Sequence, residues 1–326
     1  MTTYPGELAA LGGALLWTVS SIIYAQAGQT VIPLALNFSK GVVAIAFMVL
    51  TLGIQQSPLP ILDLREWGLL IGSGIVGIGI GDTAFFMALN SLGARRTVLL
   101  EALAPPLTAV LAIAFLGEVL GWTGYGGIFF TVLGVTWVVL ERTAKAPISS
   151  SGIEKDSPSS LAPSSIKNTT ASRSSAQDRQ GIIYGLLAAL CQATGAVMTR
   201  AALVDTSISP LWSGLIRLAA GTLLVLVLMM FLLGVKRLER HTLRPLQSLS
   251  FLGLIAITAF VSTFLAIWLQ QTALKYTAAG IAQALAATSP LFVIPFAMTM
   301  GDRITVRSVL GVLVALGGIW LLFLNH

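Results

Sequence analysis

The sequence predicts an all-α polytopic membrane protein with ten transmembrane helices, arranged as two inverted five-helix repeats. Hydrophobic residues make up 56% of the chain and charged residues 10%, whereas a soluble domain carries about 25% charged residues. The mean hydropathy of +0.88 also indicates a chain that lies in a lipid bilayer. A single polar run near the middle separates two apolar halves that resemble each other.

Ten apolar runs are long enough to cross a bilayer, for which about 20 residues are needed. The first half contains runs at 7–26, 32–54, 67–89, 97–116 and 122–140, and the second half contains runs at 181–204, 209–234, 251–272, 279–300 and 306–324. No basic residue precedes the first run, so we expect a retained span there and not a signal peptide.

The polar run at 142–180 is rich in Ser, Thr and Pro and carries scattered charges of both signs. Such a segment cannot bury enough apolar surface to offset the entropy lost on ordering. We therefore predict a disordered linker at 142–180 between a first repeat, 1–141, and a second repeat, 181–326.

The two halves repeat the same features in the same order. The matched pairs are Pro33-Leu34 before Lys40 with Pro210-Leu211 before Arg217, Ala88-Leu89 with Ala273-Leu274, Pro106-Leu107 before Gly117-Glu118 with Pro290-Leu291 before Gly301-Asp302, and Gly127 and Gly134 with Gly311 and Gly318. Because each half has an odd number of spans, the second half enters the membrane from the opposite face. Inverted repeats of this kind build alternating-access transporters.

These motifs, together with MALNSLGARR and TALKYTAAG after spans three and eight, resemble the drug/metabolite transporter superfamily, ten-helix EamA type. The resemblance covers both halves and excludes the linker. It implies a secondary transporter, an exporter or permease, that moves a small organic metabolite through a central cavity between the halves. It does not identify the solute.

Three ionisable residues, Lys40, Asp82 and Glu101, lie inside spans, where each charge costs roughly 2.5 to 3.5 kcal/mol unless it is paired or hydrated. Their depths are similar, so we predict that Lys40 pairs with Asp82, with Glu101 nearer the cavity mouth, and that the group binds a polar or zwitterionic solute. A carboxylate there also makes proton coupling plausible. The alternatives are a structural Lys40–Asp82 pair, a Lys40 that snorkels to the surface, or a Glu101 paired with Arg95 or Arg96.

Arg217 is the repeat counterpart of Lys40, but the alignment places Ile267 where the first repeat has Asp82. Its partner is then a helix carbonyl, Gln270 or the solute, and a structural role is the favoured alternative. Further candidates for solute binding lie in spans one, six, eight and nine: Trp17, Gln192, Trp268, Gln270 and Gln283. The glutamines can equally bond between helices, and buried tryptophans commonly pack in the core.

Pro106 and Pro290 occupy matching places in spans four and nine. A proline inside a helix removes one hydrogen bond, so we predict that both residues mark gating helices. Glu118 and Asp302, in the turns after these spans, are expected to cap the helix that follows each of them.

Other classes of function have weaker support. With one cysteine, Cys191, and two histidines, we expect no disulfide, metal site or cofactor. Gly79-Ile80-Gly81-Asp82 matches the GxGD signature of intramembrane aspartyl proteases, but those enzymes need a second aspartate and partner motifs that this chain lacks. We therefore expect no enzyme activity. A passive channel or uniporter is the other alternative.

The net charge of +6 does not indicate nucleic-acid binding, because most of the 19 lysine and arginine residues lie in loops on the linker side. The side of the termini carries Arg65, Arg200 and Lys275. By the positive-inside rule the linker is cytoplasmic and the termini are outside, whereas the resemblance implies termini inside. We expect a multi-pass protein of the plasma or inner membrane, with a homodimer as the oligomeric state to consider.

Overall fold

The computed structural model describes residues 4–27, 33–144, 166–234, 253, 256–289, 291–292 and 306–324. In the first repeat, helices α1 to α6 cover Pro5–Ala27, Pro33–Ile54, Leu64–Ser73, Thr83–Glu101, Ala104–Leu116 and Trp122–Ala144, with a π-helical segment at Gly74–Asp82. In the second repeat, helices α7 to α11 cover Ile166–Leu203, Pro210–Gly234, Ala266–Tyr276, Ala279–Ala286 and Val306–Phe323, with a π-helical segment at Phe260–Leu265.

Several of these helices are long and apolar enough to cross a membrane. Among the described residues, they are Leu34–Ile54, Leu64–Leu92, Asp178–Leu203, Pro210–Phe231 and Ala256–Tyr276. Shorter apolar helices occur at Ala104–Leu116 and Val309–Phe323. The chain is a two-repeat polytopic membrane protein, and its helices follow the order of the ten predicted spans.

The boundary between spans three and four differs from the prediction. We expected a connection between 89 and 97, but α3, the first π-helical segment and α4 follow one another without a break from Leu64 to Glu101. The interruption lies instead at the turn of Ala102 and Leu103. The residues 88–101 include only one glycine and no proline, so nothing in them stops a helix strongly.

The linker also differs from the prediction over part of its length. Helix α6 continues to Ala144, and α7 begins at Ile166. The structure thus differs from the expected disordered segment at 166–180, where the chain is helical. These residues contain no proline and no glycine before Gly181, so the helix of the span can extend backward. Residues 145–165 lie outside the described part of the chain.

The last helices of the two repeats, α6 and α11, cross in opposite directions. A Cβ at Gly127 would meet Leu322 and the Gly318 carbonyl, whereas a Cβ at Gly134 would meet Ala315 and the Gly311 carbonyl. The earlier glycine of α6 thus contacts the later part of α11, and the later glycine contacts the earlier part. Since α6 and α11 hold the same place in their repeats, the antiparallel crossing confirms that the second repeat is inverted.

The remaining contacts between the halves follow the same two-fold pattern. Helix α1 packs against α9 and α10 of the second repeat, and α7 packs correspondingly against α4 and α5 of the first. Helix α2 contacts α8 and the second π-helical segment, while α8 contacts α2 and the first π-helical segment. The two halves are therefore interlocked around a shared centre, and helices from both bound the space between them.

The two π-helical segments lie at matching positions of the repeats. The alignment of Ala88-Leu89 with Ala273-Leu274 carries Gly74–Asp82 onto the region of Phe260–Leu265. A π-helical turn inserts an extra residue and rotates the side chains that follow it, and such turns are frequent at functional sites. In the first repeat, the residue that ends this segment is Asp82.

Candidate functional site

A cavity of about 200 Å³ lies between the two repeats, in the middle of the helix packing. Its walls come from α1, α2, both π-helical segments, α4, α5 and α7 to α10, with one residue of α6. The predicted solute-binding residues that line it are Trp17, Lys40, Asp82, Glu101, Gln192, Arg217, Gln270 and Gln283. The predicted set therefore converges on one space, apart from Trp268.

Lys40 and Asp82 form an ion pair in this cavity. Lys40 Nζ donates a hydrogen bond to Asp82 Oδ2 at 2.7 Å. The side chain of Lys40 is 3% exposed and that of Asp82 is 22% exposed, so the carboxylate is the more accessible partner. Nζ also lies 5.1 Å from the ring centre of Phe86 and 6.0 Å from that of Trp17. Aromatic faces stabilise such a desolvated cation.

Glu101 ends α4 and faces the same cavity as Asp82, which immediately precedes that helix. Its carboxyl group interacts electrostatically with Asp82. The carboxyl group of Glu101 accepts no hydrogen bond from the residues that the structure describes. The side chains of Arg95 and Arg96 lie outside the described part, so pairing with either stays a prediction. The cavity thus holds two neighbouring acids, of which only Asp82 has a described ion-pair partner.

Arg217, in α8, lies on the second-repeat side of the cavity and is 2% exposed. Its Nε and Nη1 are buried and have no hydrogen-bond partner in the described structure. Asp82 interacts with it electrostatically. The backbone of Arg217 rests on Gly74, where a Cβ would lie 2.8 Å from the Arg217 Cα. A larger residue at 74 would therefore displace the segment that carries the guanidinium.

The three predicted glutamines supply amide groups from three helices. Gln192 belongs to α7, Gln270 to α9 and Gln283 to α10. Gln283 Nε2 is buried without a hydrogen-bond partner among the described residues. A buried unpaired donor is costly, and a solute with an acceptor group can satisfy it. Ser262 and Thr263 of the second π-helical segment also line the cavity and were not predicted, because hydropathy does not reveal a π-helical turn.

The two predicted wall tryptophans have different positions. Trp17 is half-buried and lines the cavity. Trp268 does not line it, so this prediction is wrong. Trp268 packs into the hydrophobic cluster of α2, α8 and α9, with its ring centre 6.0 Å from that of Phe264. The prediction rested on the depth of Trp268 within its span, and depth alone does not say which neighbours a side chain contacts.

The prolines of span four do not break a helix in its middle. Helix α5 begins at Ala104, so Pro105 and Pro106 lie in its first turn. A first-turn amide has no partner within its own helix, and a proline there costs no hydrogen bond. The prediction that Pro106 removes a mid-helix bond is therefore wrong. Pro105, not Pro106, lines the cavity. Pro290 lies outside the described residues, although a similar turn at Ala287 and Thr288 ends α10 just before it.

A second ion pair, not predicted from the sequence, lies at the end of the cavity nearest the chain termini. Arg200 Nε donates to Glu118 Oε1 at 2.6 Å, and Glu118 Oε2 accepts a hydrogen bond from the Ala279 amide at 3.0 Å. Arg200 Nη1 donates to the carbonyls of Leu274 at 3.0 Å and Lys275 at 2.7 Å. Glu118 therefore caps α10 of the other repeat and not the helix that follows it. We call Arg200, Glu118 and these backbone groups the terminal network.

The terminal network joins segments that bound one end of the cavity. It connects the end of α7 and the α5–α6 turn to the junction of α9 and α10. Leu274, whose carbonyl accepts from Arg200, is itself a cavity residue. Lys275 Nζ adds a hydrogen bond of 2.6 Å to the Ile208 carbonyl. The only sequence signal for the terminal network was that Arg200 and Lys275 occur on a face of the membrane that carries few other basic residues.

Comparisons with known proteins agree with this architecture. The family model described as the EamA-like transporter family matches residues 4–140 and 179–324, that is, both repeats. No curated protein matches the chain. A solved structure named "Crystal structure of protein" aligns with 100% of this chain and 99% of its own, with a TM-score of 0.71 and 15% identity, and shows a shared fold. Members of the matched family are transporters and not enzymes, which removes the protease alternative. With two matched repeats interlocked around a charged cavity, the chain belongs to the EamA-like transporter family.

Proposed function

We propose that the protein is a secondary transporter that moves a small polar organic solute across the membrane by alternating access. The solute occupies the cavity between the inverted repeats and contacts the charged and amide side chains of its wall. The observation that carries this proposal is the convergence of Lys40, Asp82, Glu101 and Arg217 on one cavity inside an apolar protein. Such costly groups are retained in a membrane interior where they serve a solute or ion pathway.

A carrier fits the arrangement better than a passive channel. The terminal network ties together the segments around one end of the cavity, so movement through that end requires these bonds to break. In alternating access the two repeats exchange their conformations, which opens one end and closes the other. A channel has no need of such a cycle.

Transport into liposomes tests the proposal. Purified protein is reconstituted, and uptake of amino acids, nucleobases and cationic dyes is measured with and without the same unlabelled solute inside. We expect saturable uptake of at least one solute, and faster uptake when the inside is preloaded. Uptake that is equal with or without preloading would indicate a channel, and the absence of any uptake would contradict the transporter itself.

We propose further that transport is coupled to protons through Asp82 or Glu101. Both carboxyls line the cavity, and each interacts electrostatically with the other. A proton bound by one of them lowers the repulsion between the pair, which links protonation to solute binding. We expect uptake to depend on an imposed pH gradient and to lose that dependence in Glu101→Gln. Uptake by the unmodified protein that does not depend on the gradient would contradict proton coupling and leave the proposed transport function intact.

The direction we propose is export, with the linker in the cytoplasm of the cell whose plasma or inner membrane holds the protein. The distribution of basic residues supports this orientation. In that orientation the terminal network lies at the outer end of the cavity. A reporter fused after His326 that is active only in the cytoplasm would reverse the assignment.

A further inference from the structure

The two repeats carry a cation at the same position, but the partners of the two cations differ. Lys40 in α2 has a carboxylate partner, Asp82, at 2.7 Å. Arg217 occupies the equivalent place in α8, and the residue that corresponds to Asp82 in its repeat is Ile267. Both Arg217 and Ile267 line the cavity. Lys40 is therefore paired with an acid, whereas Arg217 lacks the acid at the corresponding position of its repeat.

Two of the three guanidinium nitrogens of Arg217 lack a hydrogen-bond partner among the described residues. Nε and Nη1 are both buried without a hydrogen-bond partner in the described part of the chain. Asp82 interacts with Arg217 electrostatically, but its carboxylate accepts a hydrogen bond from Lys40. Leaving buried donors unpaired costs free energy, more so on a charged group. A group of donors in this state inside a solute cavity indicates an acceptor that is supplied from outside the chain.

Arg217 and Gln192 both line the cavity, so a solute acceptor in the cavity can lie beside them. Gly77 of the first π-helical segment faces the guanidinium, and a Cβ there would lie 3.3 Å from Nη2 and 3.7 Å from Gln192 Oε1. Because the residue is glycine, the guanidinium can pack closely against this segment. Behind the guanidinium, Gly74 supports the Arg217 backbone. The position of the cation is thus fixed on both sides, while its donors Nε and Nη1 remain without a partner among the described residues.

We propose that Arg217 binds a carboxylate of the transported solute, so that the solutes of this protein are small organic acids, with or without an additional amino group. A carboxylate presents two coplanar oxygens, and an arginine binds them in a bidentate manner through Nη2 together with either Nε or Nη1. A neutral solute leaves the guanidinium of Arg217 without a hydrogen-bonded counter-charge. This inference rests on the proposed transport function and adds the solute class to it.

The experiment compares acids with their matched amides. Purified protein in lipid nanodiscs is heated in the presence of straight-chain and branched carboxylates of about three to nine carbons, with and without an α-amino group, and of the primary amide of each. We expect at least one carboxylate to raise the unfolding temperature while its amide does not. Arg217→Gln should weaken binding of that carboxylate by roughly tenfold or more, as expected for a lost charge-assisted hydrogen bond.

Three variants separate recognition from folding. Arg217→Lys keeps the charge but loses the bidentate geometry, so we expect weaker binding than in the unmodified protein. Ile267→Asp gives Arg217 the acid that its repeat lacks, and it should block carboxylate binding in a folded protein. Arg179→Gln, at an exposed arginine of α7, is the matched control and should bind like the unmodified protein.

The outcomes distinguish the solute class from the transport function. If no carboxylate in the set stabilises the protein, or if amides stabilise it equally, the assignment of Arg217 is wrong. It is also wrong if Arg217→Gln or Ile267→Asp binds the carboxylate with unchanged affinity. Saturable uptake of a neutral or cationic solute that is insensitive to Arg217→Gln would overturn the carboxylate class and leave the transporter intact. Carboxylate binding without uptake of any solute would support the site and contradict transport.

Discussion

The Lys40–Asp82 and Arg200–Glu118 ion pairs differ in what surrounds them. In the cavity, Asp82 holds Lys40 by one hydrogen bond, and both residues belong to the first repeat. In the terminal network, Arg200 of the second repeat holds Glu118 of the first, and each partner makes additional bonds to backbone groups. The first pair is open to a cavity, whereas the second joins the two halves at one end of it.

This difference indicates two separate tasks. A pair that must release its partner during transport cannot have every lone pair and donor occupied, because each additional bond raises the cost of exchange. The Lys40–Asp82 pair meets that condition, with its carboxylate 22% exposed. The terminal network, with bonds to Leu274, Lys275 and Ala279, stabilises one conformation of the two repeats. We therefore expect mutations of the first pair to affect solute handling and those of the second to affect conformational equilibrium.

The largest effect is expected from Asp82→Asn. The change leaves the nearly buried ammonium of Lys40 without a counter-charge, so the free energy of unfolding should fall by about 3 kcal/mol and uptake should fall to background. The measurements are thermal unfolding in nanodiscs and uptake of the solute found in the liposome screen. The double variant Lys40→Met with Asp82→Leu removes both charges and should recover stability but not uptake.

That double variant separates a structural pair from a functional one. If it transports like the unmodified protein, the pair only supports the fold. Normal uptake by folded Asp82→Asn would lead to the same conclusion.

The next effect is expected from Glu118→Gln, which removes the charge that holds Arg200 and weakens the cap of α10. A coupling of about one to three kcal/mol between conformations changes their ratio by roughly 5- to 150-fold. A cysteine placed at Ala282, in the first turns of α10, reports opening of this end when Cys191 is replaced by alanine. We expect an impermeant thiol reagent added on the side of the termini to react about tenfold faster in Glu118→Gln.

The matched control for this experiment is Glu66→Gln. Glu66 belongs to the capping box of α3, where it accepts a hydrogen bond from the Asp63 amide. It is an acid on the same side of the membrane, but it does not join the repeats, so labelling at 282 should keep the rate of the unmodified protein. Equal rates in both variants would mean that the terminal network does not close the cavity.

Much of the fold follows from the sequence because the signals there are local. The runs at 32–54 and 209–234 agree with α2 and α8 within a residue, since each helix starts at a proline with a fixed backbone angle. The π-helical segments were not predictable from hydropathy, because an added residue in a helical turn changes register without changing composition. Trp268 was predicted from its depth in the span, which does not reveal which side of the helix faces the cavity.

The site was predictable in part for a related reason. Lys40, Asp82, Glu101 and Arg217 stand out because a charge in mid-span is costly wherever it lies. Arg200 and Glu118 do not, because charges at the ends of spans are common and cost little there. Their partnership depends on the contact of a turn of one repeat with α10 of the other. Such a contact follows from the packing of the inverted halves and not from spacing along the chain.

The smallest effect is expected from Trp17→Phe, which changes the aromatic surroundings of the cavity pair and leaves the terminal network untouched. The Trp17 ring centre lies 6.0 Å from Lys40 Nζ, and a cation–π contact of this kind contributes about 0.5–1 kcal/mol. The apparent affinity for the transported solute should therefore fall by roughly two- to fivefold, measured as the KM of liposome uptake. Trp268→Phe is the matched control, because Trp268 packs against Phe264 away from the cavity, and it should lower thermal stability without changing KM. If Trp268→Phe raised KM as much as Trp17→Phe, the aromatic wall of the cavity would extend to Trp268 after all.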